Sequence, residues 1–415
     1  VSPETVWSTL LDKHNDRLTL HPDDLRYELT EPARITADTV FKPIYGTLIE
    51  ELRHNLTAKR DEPVPVFPFA YDWRQPLDLV EARLAAFIRE VIDRTRLLRH
   101  YHRAGYDADT GRVTLVGHSM GGLIIAGYLR TNGAAARVDK VVTLGTPFRG
   151  SLEAPIKVVT GTASLGGDTA PDSREREASR LTPALYHLVP SFDGALVTEP
   201  GLPADLFDVG TWQPGVVDTL AESIRLNGLA GGAKGERTAQ ARQLLGDMLG
   251  VARAHRAKVE SLDLAQAGLA PGQWLCIVGV DAITRVRLQI RTVKGRPLFD
   301  LTGDDRVNRW SDDDPDARVL TGDGTVPFRG GEPAFLERRR LVCVRPDDFG
   351  YWELADRAML KVAGFHGMLP RLNLVHRLIV SHCKGRGDKG LWGRPAPGVT
   401  AADWAPPIAG LPFKA

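Results

Sequence analysis

Residues Gly117-His118-Ser119-Met120-Gly121 set one hydroxyl among small neighbours, after the β-forming run 113–116 and before an apolar stretch with Leu123, Ile124, Ala126, Tyr128 and Leu129. Strand, Gly-x-Ser-x-Gly, helix is the order that nucleophilic acyl chemistry needs. A sharp turn lifts the hydroxyl clear of a sheet, and the helix start offers the Met120 N–H to a developing oxyanion. Gly117 and Gly121 are expected to make room for that turn. A serine is a poor nucleophile until a histidine takes its proton, and the histidine needs a carboxylate to fix its tautomer. Of eleven histidines, His366 lies near Gly364 and Gly367, just ahead of an apolar helix carrying Leu372, Leu374, Val375, Leu378 and Ile379. That places it on a loop, whereas His376 and His382 fall within and at the end of the helix and read as packed or solvent-facing. For the carboxylate, Asp323 in Gly322-Asp323-Gly324-Thr325-Val326-Pro327 occupies a tight turn that can approach another loop closely. Asp304, in Thr302-Gly303-Asp304-Asp305, is its rival.

The elements that must position these groups follow from hydrophobic periodicity. A helix is expected over 40–56 with Pro43 in its first turn, and a short strand over 64–69 (Val-Pro-Val-Phe-Pro-Phe). Val80, Leu84, Phe87, Ile88, Val91 and Leu98 recur at helical spacing, and strands are expected at 113–117 and 138–144 around a helix over 120–131. Alternating strands and helices imply a parallel sheet with helices on both faces. From Ser151 to Gln273 the rhythm changes to Gly/Ser/Pro clusters and amphipathic helices near 214–226 and 235–262, read as a cap over the C-terminal edge of the sheet. The sheet resumes at 274–278. Val286, Leu288 and Ile290 then alternate with polar residues towards a turn at Lys294-Gly295, which reads as a hairpin. The last strand is expected at 340–345, and the Gly/Pro-rich tail after Gly385 is expected to wrap the surface or stay mobile. The division is therefore an arm and helix (1–62), a core (63–150 and 274–384), a cap (151–273) and a tail (385–415).

With 43% hydrophobic residues in 415, the chain can bury a large core. Lys and Arg number 53 against 52 Asp and Glu, so no global field gathers nucleic acid. The basic run 94–103 reads as cations at a helix C-terminus. Cys276, Cys343 and Cys383 form neither a disulfide framework nor a ligand spacing, and no His/Asp/Cys cluster implies a metal or other cofactor. No run of 18 apolar residues is present.

Several blocks together resemble the lecithin:cholesterol acyltransferase family, a cap-bearing, lipase-like branch of the α/β-hydrolases. They are Tyr71-Asp72-Trp73-Arg74, the Gly117–Gly121 motif, Leu144-Gly145-Thr146-Pro147 with Gly150-Ser151, 183–191 (PALYHLVPS), Gly322–Val326 and His366-Gly367. The resemblance runs from about residue 40 to 380. It implies an α/β-hydrolase fold with an inserted, largely helical cap, and a family triad falling on Ser119, Asp323 and His366. Tyr71 and Trp73 are then expected to wall the substrate pocket, and Asp72 with Arg74 to form a structural ion pair. Members of the family carry an earlier strand ending in a Pro-Gly loop that supplies half of the oxyanion hole. Residues 1–62 lack it, so the chain is expected to be N-terminally incomplete, and one missing donor lowers turnover by about 10²–10³. The paired cysteines of secreted relatives are absent too, which favours a cytoplasmic location. The expected function is serine-dependent hydrolysis or acyl transfer on lipid esters through an acyl-enzyme. The expected partners are a lipid or other ester, transient contact with a lipid surface through the cap, and no nucleic acid. A short-chain or non-lipid carboxylesterase and a non-catalytic hydrolase-fold binding protein are the alternatives.

Overall fold

Side chains alternating along the central strands divide the molecule into layers. The computed structural model describes residues 37–162, 173–227, 232–350, 353 and 364–414, so most of the expected N-terminal arm lies outside the described residues. Helix α1 (Lys42–Leu56) precedes α2 (Leu77–Arg96), and then come β1 (Val113–His118), α3 (Met120–Asn132) and β2 (Val138–Leu144). A second stretch holds α4 (Glu153–Thr160), α5 (Ser173–Arg180), α6 (Pro183–His187), β3 (Leu196–Thr198), α7 (Pro214–Leu226) and α8 (Lys234–Glu260). The chain returns through β4 (Trp274–Gly279), a hairpin of β5 (Leu288–Val293) and β6 (Arg296–Asp300), β7 (Val342–Val344) and α9 (Asn373–Lys384).

Strands β1, β2, β4 and β7 form one sheet in that order, and every pairing is parallel. The molecule is thus of the α/β class, a parallel sheet flanked by helices. Val141, Trp274, Cys276, Val278 and Cys343 point to the side packed by α2 and α3, while Val142, Leu144, Leu275, Ile277, Val342 and Val344 point to the side packed by α1 and α9. A strand's period of two sends neighbours to opposite faces, and both faces here are covered, so the strands read as continuous apolar runs. The third cluster is separate from both and joins Leu152, Tyr186, Trp212, Leu220 and Leu249 from α4 to α8.

Two features depart from expectation, and a third decides between the two alternatives left open for the tail. Residues 64–69 form no strand. Pro63, Pro65 and Pro68 each remove a ladder donor, which leaves extended backbone with nothing regular to pair through. The hairpin β5–β6 forms where expected, but β5 pairs in parallel with β3 rather than with the main sheet, and Leu288, Ile290 and Phe299 pack into the third cluster. The tail after Gly385 is docked along β7. Cys343 N–H donates to Arg394 O at 2.8 Å, Leu391, Ile408 and Leu411 join the α1/α9 side of the core, and buried Arg394 pairs with Asp348 at 2.6 Å. A tail that supplies backbone acceptors and apolar side chains covers a sheet edge that solvent would otherwise compete for.

Candidate active site

Ser119 lies between β1 and α3 with φ 53° and ψ −126°, outside the conformations a non-glycine residue adopts without restraint. Its N–H donates to Leu144 O at 2.9 Å and its carbonyl accepts from Gly122 N–H at 3.1 Å, so β2 and the first helical turn hold it there. The space argument for glycine holds at one of the two expected positions. A Cβ on Gly117 would sit 2.8 Å from the Gly121 carbonyl carbon and from Ile125 Cδ1, whereas a Cβ on Gly121 meets nothing within 4 Å. The other crowded position is Gly122, whose Cβ would lie 2.0 Å from Thr146 Oγ1. The helix start packs against the end of β2 through Gly122, and Gly121 faces open space. Met120 opens α3, where first-turn amides lack intrahelical acceptors and the helix dipole is positive.

His366 Nε2 lies 2.9 Å from Ser119 Oγ, and His366 Nδ1 lies 2.7 Å from Asp323 Oδ2. The carboxylate accepts at Oδ2, so Nδ1 carries the ring proton and Nε2 is free to accept from the serine hydroxyl. Asp323 is fixed in turn: its Oδ1 accepts from the N–H groups of Thr325 (3.0 Å) and Val326 (2.7 Å). His366 and Asp323 are both buried, and His366 N–H donates to Asp323 O at 3.0 Å. Asp304, the rival acid, is not among the groups that meet His366.

Residues with no individual role expected from the sequence complete the arrangement. A Cβ on Gly145, at φ 53°, would lie 2.9 Å from Asp323 Oδ2 and 3.2 Å from His366 Nδ1, and one on Gly279 would lie 2.5 Å from Asp323 Cβ. Both strand ends are therefore cut back to let the acid and the base meet. His118 bridges two elements: Nε2 lies 2.9 Å from His366 O, and Nδ1 lies 2.9 Å from the Tyr45 hydroxyl on α1. A carbonyl only accepts, so the proton is on Nε2 and Nδ1 accepts from Tyr45. Removal from water, and then the charge of His366, push the His118 pKa down to about 3, against a smaller opposite effect of its bond to the His366 carbonyl. Its place inside the serine motif was the available signal.

Tyr71 and Trp73 are half-buried and pack against the α2/α3 side of the core, with Tyr71 stacked on Phe69 at 5.8 Å. Burial, and then the neighbouring Tyr45, raise the Tyr71 pKa. Asp72 and Arg74 form a buried two-pronged pair (Nε–Oδ1 2.8 Å, Nη2–Oδ2 2.7 Å), and Arg74 O accepts from Ala184 N–H of α6. Ser151 Oγ donates to Thr325 O at 2.5 Å, tying the Gly150-Ser151 block to the Asp323 turn. Away from this site, Asp78, Glu81 and His255 bring potential metal ligands within 4.8 Å of one another. Lys258 Nζ already lies 2.7 Å from Asp78 and 2.6 Å from Glu81, so an ammonium holds the cation position between those two acids. Among the described residues no helix is long and apolar enough to cross a membrane.

Residues 34–205 match the family model described as Lecithin:cholesterol acyltransferase. The matched stretch includes Tyr71–Arg74 and Ser119 and ends before Asp323 and His366. No curated protein sequence matches the chain. Among solved structures the chain is similar to "The crystal structure of Tle4-Tli4 complex", at 17% identity over 70% of each chain with a TM-score of 0.47.

Proposed function

The chain is lecithin:cholesterol acyltransferase-like over residues 34–205, and from that premise we propose that it is a serine-dependent enzyme cleaving lipid acyl esters through an acyl-enzyme. The family match supports an ester hydrolase or acyltransferase in general. The finer reading rests on one observation, the continuous line from Ser119 Oγ through His366 to Asp323, with distances of 2.9 and 2.7 Å.

In this reading Ser119 Oγ attacks the acyl carbonyl while His366 Nε2 takes the hydroxyl proton. Asp323 holds the imidazole in the reactive tautomer and stabilises the imidazolium. The oxyanion of the tetrahedral intermediate is received by Met120 N–H. The intermediate collapses, the ester oxygen leaves with the proton from His366, and Ser119 keeps the acyl group. Water or an alcohol, deprotonated by His366, then attacks the acyl-enzyme and restores the serine. Tyr71 and Trp73 are proposed to wall the acyl pocket, and residues 151–273 to act as its cap.

The test is labelling by a fluorophosphonate probe, with the adduct mapped by mass spectrometry. A label on Ser119 that is lost in Ser119→Ala is the expected result. A folded protein that takes no label overturns the reading in favour of a non-catalytic binding role. A chain-length series of esters tests the lipid assignment, which a maximum at acetate or butyrate would overturn.

A further inference from the structure

Tyr45 lies on α1, which carries none of the sequence motifs, yet its hydroxyl reaches His118 Nδ1 at 2.9 Å. Burial raises the Tyr45 pKa to about 12, so the phenol stays a donor through the neutral range. His118 passes the contact on, because its Nε2–H donates to His366 O at 2.9 Å. Only one tautomer of His118 satisfies both bonds, and with Nδ1 accepting from Tyr45 the ring has no lone pair left for a second proton. Removal from water, and then the charge of His366, hold its pKa near the value of about 3 given above.

The bond from His118 falls where it controls the base. His366 is pinned through both of its backbone groups: its N–H donates to Asp323 O at 3.0 Å, and its carbonyl accepts from His118. The rings of His118 and His366 also lie 4.9 Å apart at 36°. His366 becomes positive when it takes the serine proton, and a second imidazolium at that distance would repel it. A neutral His118 therefore lets the base charge, while its N–H fixes where the base stands. Helix α1 is fastened to the chain downstream of His366 as well, since Arg371 donates to Pro43 O.

We propose that Tyr45 acts through His118 as a positioning residue for His366. Tyr45 selects the Nε2–H tautomer of His118, and that N–H holds the His366 backbone so that its imidazole meets the serine hydroxyl. This rests on the reading of Ser119 as the nucleophile, and it extends the line of groups that set its reactivity from Asp323 to α1. Misplacing a reacting group by about 1 Å can lower a rate by about 10², so a bond remote from the substrate acts on turnover and not on affinity.

The experiment measures the rate at which a fluorophosphonate probe labels Ser119, together with kcat and KM on one ester and the melting temperature. It compares the whole chain with Tyr45→Phe, His118→Leu, His118→Gln and Leu48→Ala. Leu48 is buried on α1, so its truncation loosens the helix and keeps the Tyr45 hydroxyl. The expected result is slower labelling in Tyr45→Phe and in His118→Leu, by about 10–10² in the latter, carried by kcat with KM unchanged. His118→Gln, which again offers a donor to the His366 carbonyl, should recover most of the rate lost in His118→Leu. Leu48→Ala should melt lower and label at the wild-type rate. Labelling slowed as much in Leu48→Ala as in Tyr45→Phe would mean that α1 need only be docked, and would overturn the positioning role. Wild-type labelling in Tyr45→Phe, which removes a single oxygen, overturns it too, and this variant decides the matter if His118→Leu does not fold. A wild type that takes no label overturns the Ser119 reading itself, and the positioning role falls with it, so the two failures are told apart.

Discussion

Ser119, His366 and Asp323 form a hydrogen-bonded line whose direction is set by what each atom can donate, and this makes conservative substitutions informative. Asp323→Asn preserves size but offers His366 Nδ1 an amide, which can favour the wrong tautomer. Steady-state ester hydrolysis should then fall by about 10³–10⁴ with the fold intact. His118 yields a prediction about stability. Its pKa in the native protein is about 3, against 6.5 for the unconstrained side chain. Between those values the unfolded chain binds a proton that the native state does not, so stability is fully present above pH 6.5 and is lost as pH falls towards 3. His187, His376 and His382, also lowered chiefly by burial, act in the same direction. His118→Gln keeps a donor for the His366 carbonyl and removes one titration. Urea unfolding across pH 4 to 6 should therefore show a dependence shallower by about 1.4 kcal/mol per pH unit than wild type.

At the scale of elements, the geometry at Ser119 depends on how closely α3 approaches the end of β2. Gly122, whose added Cβ would lie 2.0 Å from Thr146 Oγ1, is the contact that sets that approach. Gly122→Ala should destabilise the protein by about 1–3 kcal/mol through overpacking. Gly121→Ala, which meets nothing within 4 Å, should leave stability unchanged or raise it by up to about 1 kcal/mol, since alanine is the better helix former. Thermal unfolding of the two variants side by side checks this, and equal losses would count against it. A second join lies where α8 meets α2. Glu81 Oε1 is 2.7 Å from His255 Nε2 and its Oε2 is 2.6 Å from Lys258 Nζ, and Gly127 of α3 leaves the room.

For the whole molecule, that second join links the helices carrying the third hydrophobic cluster to the α/β body. Within that stretch, Arg256 of α8 donates to His187 O at 2.9 Å and Val189 O at 3.2 Å, which ties α8 to the end of α6. Glu81→Ala would leave Lys258 and His255 facing only the exposed Asp78. Lys258 is a quarter exposed, so the loss is expected near the lower end for a broken buried pair, about 3 kcal/mol. A urea midpoint within error of wild type would rule out a role for this network in holding the two parts together.

The local code was readable from the chain by itself. Strand and helix periods placed β1, α3, β2, α7, α8 and β4 within one or two residues, because each carries an apolar pattern that only one secondary structure can bury. Ser119, Asp323 and His366 stood out because glycines flank each of them, and glycine marks backbone that must turn sharply or be approached closely. Other features depended on residues far apart in sequence. Prolines at 63, 65 and 68 outweighed the β-forming residues between them. The hairpin joined β3 rather than the main sheet, because Leu288, Ile290 and Phe299 find their apolar partners in the third cluster. His118 was bonded to the carbonyl of residue 366 as a result of tertiary packing alone. A sequence states which groups a segment must bury or satisfy. Which distant partner does so, or fails to, is decided only when the chain closes on itself.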